Sequence, residues 1–148
     1  MNTHPYLRAY LAGAFLPTLV MPLMLTAFIV LRIVLEWPVP IEQAMIFPMA
    51  IVPSLFGLWN MLWLASHVRT GYPICLQGAV LPVLMAPAGG LVACTLGVLR
   101  LEPHGLVWFQ AVHFSYTLIA VGWLAAIAGY YLVWKYLVGF LNRALGIA

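Results

Sequence analysis

Nine charged residues divide this chain of 148 residues into long uncharged stretches. Four of these stretches exceed the roughly 20 apolar residues that a helix needs to cross a bilayer. They are residues 9–31, 43–68, 70–99 and 103–134. A chain inside hydrocarbon must satisfy its own backbone hydrogen bonds, and four strands of this length could not close a barrel. The sequence therefore predicts an all-α membrane protein with four transmembrane helices.

The composition places the whole chain in the membrane class. Charged residues make up 6% of it and the mean hydropathy is +1.07, whereas about a quarter of a soluble domain is charged. The segments between the predicted helices hold only a handful of residues each. We therefore expect residues 1–148 to form a single transmembrane domain, with any chemistry in or at the membrane.

The basic residues predict the orientation, because they collect in cytoplasmic loops. Four of them fall on the side of both termini and two on the other side: Arg8, Arg69, Lys135 and Arg143, against Arg32 and Arg100. Both termini are therefore predicted in the cytoplasm. The chain has no Asn-x-Ser/Thr sequence, and a bacterial inner membrane is the expected location. Its scattered charges form no patch for nucleic acid, so the lipid bilayer is the expected partner.

Two segments of the chain are nearly the same. Residues 13–22 read GAFLPTLVMP and residues 78–87 read GAVLPVLMAP, with six of ten positions identical. Two more matches follow in order, VLR at 30–32 and 98–100, and QAxxF at 43–47 and 110–114. Collinear matches whose offset stays between 65 and 68 residues indicate an internal duplication. Repeat one spans about 9–68 and repeat two about 74–140, which predicts a 2+2 helix bundle with a pseudo-twofold axis along the membrane normal.

Prolines at five-residue spacing fall inside three of the predicted helices. A proline in a helix removes a hydrogen bond and clashes with the carbonyl four residues earlier, where glycine can absorb the clash. The freed carbonyls could line a polar path or bind a cation, or the bends could serve packing alone. The predicted kinks involve Gly13, Pro17, Pro22, Pro48, Pro53, Gly78, Pro82 and Pro87.

Polar residues inside the predicted spans are costly and therefore informative. Gln110, His113 and Thr117 have the spacing of one face of helix four. Asn60 in helix two is expected to bond across helices, with Gln77 as a candidate partner. These five residues form the predicted intramembrane polar site. His113 could respond to protons or bind a ligand, or it could bond a backbone carbonyl and do nothing else.

An outer rim is predicted next to this polar site. Arg32, Glu36 and Glu42 lie in the first external segment, where they could face His113. After helix four, Lys135, Gly139 and Asn142 fall on one face, which predicts a final amphipathic turn at the membrane interface.

Small residues at four-residue spacing let membrane helices approach closely. Whether such faces meet within the chain or join copies of it is left open by the sequence. Helix three has Gly89, Ala93 and Gly97, and helix four has Gly122 with Ala126 and Ala125 with Gly129.

The two cysteines share one predicted helix. Cys75 and Cys94 are 19 residues apart. At 1.5 Å per residue they lie about 28 Å apart, beyond the reach of a disulfide.

The chain lacks the motifs of catalysis and cofactor binding. It has no aspartate, no CxxC, no HExxH and no GxSxG. We therefore expect no cofactor and no metal, and an enzyme is disfavoured. The predicted function is a non-catalytic scaffold or accessory subunit that packs its helices against itself or another membrane protein. The alternative is a small transporter or channel with a polar path between kinked helices.

Overall fold

The structure is a computed structural model that describes residues 4–36, 47–108 and 112–147. Within these ranges four helices are long and apolar enough to cross a membrane, Pro5–Val34, Met49–Thr70, Ile74–Thr95 and Tyr116–Ala144. This confirms the predicted number of helices able to span a membrane. The elements in chain order are α1 Pro5–Val34, α2 Phe47–Thr70, α3 Ile74–Thr95, β1 Leu99–Glu102, β2 Gly105–Trp108, β3 Val112–Ser115, α4 Tyr116–Val133, a π-helical segment Trp134–Val138 and α5 Gly139–Ala144.

Local sequence explains where several helices begin and end. α1 starts at Pro5, because proline has no N–H to leave unsatisfied in the first turn. The Ser115 hydroxyl caps α4 by accepting a hydrogen bond from the Leu118 amide at 3.3 Å. α3 ends before Gly97, which has φ +70°, while the Val98 amide bonds to the Ala93 carbonyl at 2.9 Å. This left-handed glycine turn satisfies the last carbonyls of α3.

The chain divides into two compact units. Unit 1 comprises Met1–Tyr72 and Val138–Ala148, and unit 2 comprises Pro73–Leu137. In unit 1, α1 packs along α2, and α5 contacts α1. The α1–α2 contact is built from small residues, because Ala9 and Ala12 are buried and the Tyr10 ring lies over Gly57. Small side chains let the two helix backbones approach closely.

In unit 2, α3 packs along α4. The indole Nε1 of Trp123 on α4 donates to the Pro82 carbonyl of α3 at 3.2 Å. The fully buried Trp134 lies against Gly78 so closely that a Cβ there would overlap the indole. The Trp123 N–H thus finds a backbone carbonyl of the neighbouring helix as its partner.

The largest difference from the sequence prediction is a three-stranded antiparallel sheet in unit 2, ordered β1-β2-β3. The prediction that the uncharged stretch 103–134 is helical is wrong for its described first part, since residues 105–108 and 112–115 form strands and α4 begins at Tyr116. Glu102 pairs with Gly105, so Pro103 and His104 form the turn between β1 and β2. The uncharged stretch 103–134 is about 12 residues longer than a span requires, so a span leaves residues over, and residues 105–108 and 112–115 form strands. Absence of charge does not distinguish a helix from short apolar strands.

The fourth span also contains a π-helical segment, Trp134–Val138, which the sequence did not predict. One extra residue in a turn rotates the following side chains by about 100° around the helix axis. Trp134, before the rotation, packs in unit 2, whereas the buried Val138, Gly139 and Asn142 belong to unit 1.

The outward faces of the long helices are apolar. Leu23 and Ile33 on α1 are 71% and 72% exposed, and Leu62 on α2 is 57% exposed. Such surface would be unfavourable in water, where contiguous apolar patches of this extent are rare. It is the surface expected of helices in contact with lipid.

Candidate functional site

Two side chains, Asn60 on α2 and Asn142 on α5, are the buried polar residues of the described part of the chain. Both are 0% exposed and both lie in unit 1. A buried amide is costly unless its hydrogen bonds are made. This pair is therefore the best-defined polar centre in unit 1.

The two amides bond to each other reciprocally. Asn60 Nδ2 donates to Asn142 Oδ1 at 2.9 Å, and Asn142 Nδ2 donates to Asn60 Oδ1 at 3.2 Å. Asn60 Nδ2 also donates to the Ala9 carbonyl of α1 at 2.8 Å. Asn60 thus joins three helices, whereas the bonds of the Asn142 side chain described here both go to Asn60.

Neighbouring glycines let the helices approach closely enough for the Asn60–Asn142 bonds to form. A Cβ at Gly13 would overlap the Phe56 carbonyl of α2 and would lie 2.8 Å from the Asn60 Cβ. Gly139, one turn before Asn142, is buried as well. Short distances between helix backbones let short amide side chains reach each other.

The Asn60–Asn142 pair provides hydrogen bonds but no titratable or nucleophilic group. Primary amides do not titrate near neutral pH and are not nucleophiles, so the pair can serve neither as an acid–base couple nor as a covalent centre. Among the described residues no group of three His, Cys, Asp or Glu side chains is placed to hold a metal ion. The arrangement suits fixing one helix arrangement.

Arg8 ties the two ends of unit 1 together. Its Nη1 donates to the Leu145 carbonyl at 2.6 Å, just after the end of α5. A cation at a helix C-terminus is favoured by the helix dipole. Its Nε and Nη2 atoms are buried, with no hydrogen-bond partner among the described atoms.

A second group of polar contacts closes the C-terminal end of α2. The Tyr72 carbonyl accepts from Trp63 Nε1 at 3.0 Å and lies 2.9 Å from His67 Nδ1. Because a carbonyl oxygen only accepts, Nδ1 carries the hydrogen in this contact. The Trp63 and His67 rings stack with centroids 4.6 Å apart. His67 is therefore held by backbone and ring contacts.

The expected bonding of Asn60 across helices is confirmed, but its partners differ from the one predicted. The structure pairs it with Asn142 and Ala9. Gln77 lies near the start of α3 in unit 2 and is half-buried. The sequence placed Asn142 on one face of an interfacial turn, and the structure shows that its side chain is buried against Asn60.

The predicted stripe on helix four is wrong for His113, which lies in β3. Its side chain is 71% exposed, and its Nδ1 lies 3.7 Å from Glu102 Oε2. Thr117 is in the first turn of α4 and is exposed, while Gln110 lies outside the described residues. A helical stripe cannot form where the chain is extended, because alternate residues of a strand point to opposite faces.

The outer rim residues fall at the end of α1. Arg32 is in its last turn and Glu36 follows it with φ 53°. Both are exposed, and Glu42 lies outside the described residues. The acid placed near His113 is Glu102, which the sequence analysis did not assign to the rim.

The prolines of the predicted kinks lie inside continuous helices. Pro17 and Pro22 are in α1, Pro53 is in α2, and Pro82 and Pro87 are in α3. Pro48 is in the first turn of α2, and its side chain is not among those that the structure describes. Kinking itself stays a prediction.

The small-residue pattern of α3 needs one correction. Gly97 lies beyond the last residue of α3 and forms its terminating turn, so it is not part of a helix-packing face. Cys75 and Cys94 both lie in α3 and are free thiols, as the spacing predicted.

Sequence reasoning missed two residues of unit 1. These are Arg8, which bonds the Leu145 carbonyl, and Asn142, which pairs with Asn60. The available signal for Asn142 was its four-residue spacing from Gly139 within a segment whose Phe140 and Arg143 are exposed. That spacing marks a small, polar helix face, which suits a protein contact as well as an interface.

Comparison with protein-family models, curated proteins and solved structures finds no match for this chain.

Proposed function

We propose that this protein is a non-catalytic integral membrane scaffold or accessory subunit that acts by packing its helices against itself or another membrane protein. The observation that carries the proposal is a groove on α4 that unit 2 leaves open. Among the described residues, nothing apart from the adjacent residues and backbone of α4 itself lies within 4 Å of a Cβ built at Gly122 or Gly129. These glycines are two helical turns apart on one face.

The groove has the form of a helix-packing surface. It is flanked on the same side of α4 by Leu118 and Leu132, which are 55% and 50% exposed. Small residues between larger apolar ones let a second helix enter closely. In contrast, a Cβ at Gly13, Gly57 or Gly78 would overlap a neighbouring side chain or backbone atom.

The buried polar centre supports the same function. The Asn60–Asn142 pair satisfies its bonds internally and carries no titratable or nucleophilic group. Its role fits holding a defined helix arrangement, which a scaffold requires. The transporter alternative depended in part on His113 lying within a membrane-spanning helix. His113 lies in β3 instead, so this part of its support is lost.

The test is recovery of partners from native membranes in mild detergent, with the wild type compared with Gly122→Leu/Gly129→Leu. We expect the double variant to lose a stoichiometric partner or self-association, because two leucines fill the groove. Ala120→Leu is the matched control: this exposed residue lies on about the opposite face of α4, and its recovery should equal that of the wild type.

Unchanged recovery in the groove variant would contradict the proposal. So would solute flux in proteoliposomes that disappears in Asn60→Leu/His113→Leu, since a scaffold carries no flux. Circular dichroism and detergent elution profiles that match the wild type establish that each variant is folded.

We also propose that the chain arose by duplication, with repeats at about 9–68 and 74–140 and a 2+2 arrangement about a pseudo-twofold axis. The support is local. Gly13 and Gly78 are both buried at helix contacts, and Pro17 and Pro82, four residues later, are buried too. The match of residues 43–47 with 110–114 is weaker in structure, because Phe47 begins α2 whereas Phe114 lies in β3.

For the orientation, we propose that both termini face the cytoplasm of a bacterial cell, in its inner membrane. The support is the four basic residues on the side of the termini against two on the other side. At the C-terminus, a fused reporter enzyme that functions in the cytoplasm should be active, and one that requires the periplasm should be inactive. Activity of a periplasm-dependent reporter at the same position would contradict this orientation.

A further inference from the structure

The three-stranded sheet has one wholly apolar face. In an antiparallel sheet, paired residues lie on the same face and successive pairs alternate between faces. Leu99 pairs with Trp108, and Leu101 pairs with Leu106, which in turn pairs with Phe114. The apolar face of the sheet therefore consists of Leu99, Leu101, Leu106, Trp108, Val112 and Phe114.

The opposite face carries the charges. Arg100, Glu102 and His113 fall on it by the same register. All three are exposed. The sheet is thus amphipathic, with apolar and charged residues separated by strand alternation.

The protein covers the charged face of the central strand more than the apolar one. In β2, Gly105 and Val107 are buried, whereas Leu106 and Trp108 on the apolar face are half-exposed. On β1, Leu101 is 65% exposed. A sheet in water normally shows the reverse, with its apolar face buried and its polar face solvated.

The position of the sheet limits what can cover this face. Only residues 96–98 separate α3 from β1, and β3 ends where α4 begins. Even fully extended, three residues would reach only about 10 Å, a few Å more than the polar zone of roughly 5–8 Å on one side of a bilayer, and these three form the turn that ends α3. The Tyr116 hydroxyl of α4 also donates to the Glu102 carbonyl at 2.7 Å. The sheet is therefore held next to the ends of two membrane-spanning helices.

We propose that the sheet lies in the membrane interface, with its apolar face inserted into the lipid and its charged face toward water. Leu96, between α3 and β1, is 52% exposed, so the lipid-contacting surface of the span continues into the apolar face. Trp108 is of the residue type enriched at the boundary between hydrocarbon and headgroups. Arg100, Glu102 and His113 determine which face points outward, because charged groups are costly in hydrocarbon.

Leu101 and Glu102 provide a matched test, since they are adjacent, exposed and on opposite faces. In a Cys75→Ala/Cys94→Ala background, Leu101→Cys and Glu102→Cys are each labelled with a nitroxide and reconstituted at low protein-to-lipid ratio. We expect oxygen, which concentrates in lipid, to relax the label at 101 more than a water-soluble nickel chelate does. The order should reverse at 102.

Two outcomes overturn the proposal. Equal relaxation by the nickel chelate at both positions would place the apolar face in water, and protection of position 101 from both reagents would show that a second copy of the chain covers it. His113→Cys and Phe114→Cys on β3 repeat the comparison on the other outer strand, so that a folding defect in one pair does not remove the test. Circular dichroism of each labelled protein verifies its fold.

Discussion

Replacing Asn60 by leucine is expected to lower the free energy of unfolding by about 2 kcal/mol, because a buried amide left without its partner costs roughly 1–3 kcal/mol. The variant removes both bonds that hold the Asn142 amide. Asn142→Leu breaks the same two bonds but should cost less, about 1 kcal/mol, within the range measured for polar contacts between membrane helices. In that variant Asn60 keeps its bond to the Ala9 carbonyl. Equilibrium unfolding in mixed detergent micelles measures both values.

The double variant Asn60→Leu/Asn142→Leu decides whether the two amides act as a pair. It leaves neither amide unsatisfied, so its destabilisation should be smaller than that of Asn60→Leu alone. Thr26→Val is the control. It removes only a bond from an exposed hydroxyl to the Pro22 carbonyl within α1, and should change stability by no more than about 0.5 kcal/mol. Additive losses in the double variant would show that the amides are independent.

Alanine at Gly13 is expected to destabilise the protein by about 2–3 kcal/mol, at the upper end of the cost of overpacking a well-packed core. The added Cβ would overlap the Phe56 carbonyl, and a backbone atom of a packed helix cannot move aside as a flexible side chain does. Thermal unfolding in detergent followed by circular dichroism measures the effect. Gly90→Ala on α3 is the matched control, since nothing lies within 4 Å of its Cβ position. It should be neutral or slightly stabilising, because alanine favours a helix.

A second substitution separates two explanations for Gly13. If the glycine is needed to absorb the clash from Pro17, then Pro17→Ala should rescue Gly13→Ala, because the clash disappears with the proline ring. If the close approach of α2 is the reason, Pro17→Ala should give no rescue. The contact with Phe56 favours the second result. A full rescue would show that glycine is needed at position 13 to avoid the clash with the Pro17 ring.

Asn60 shows how far the sequence reached in the candidate site. A polar residue in an uncharged span must find a partner, so an interhelical bond could be predicted from Asn60 alone. The partner could not, because Asn142 lies 82 residues away and follows a π-helical segment, which rotates the later side chains relative to a regular α-helix. Gln77 was an equally polar candidate in the sequence.

His113 shows where the sequence reasoning failed. Its spacing from Thr117 suits a helix, but the same residues fit a strand followed by a helix start. The cap at Ser115 and the turn at Pro103 and His104 were local signals for that boundary. They were outweighed by the long absence of charge, which identifies apolar segments without specifying their conformation.

The sequence by itself determined the number of membrane-crossing helices, because an uncharged stretch of more than 20 residues can be stable in hydrocarbon only when its backbone bonds are made within it. Only the tertiary structure decided which helix faces meet. Lipid is as apolar as a protein core, so residues on inward and outward faces of these helices have the same character. Gly13 and Gly122 look alike in the sequence, yet one is in contact with α2 and the other lies open. The difference comes from distances between helices, which hydrophobic pattern does not encode when both sides of a helix are apolar.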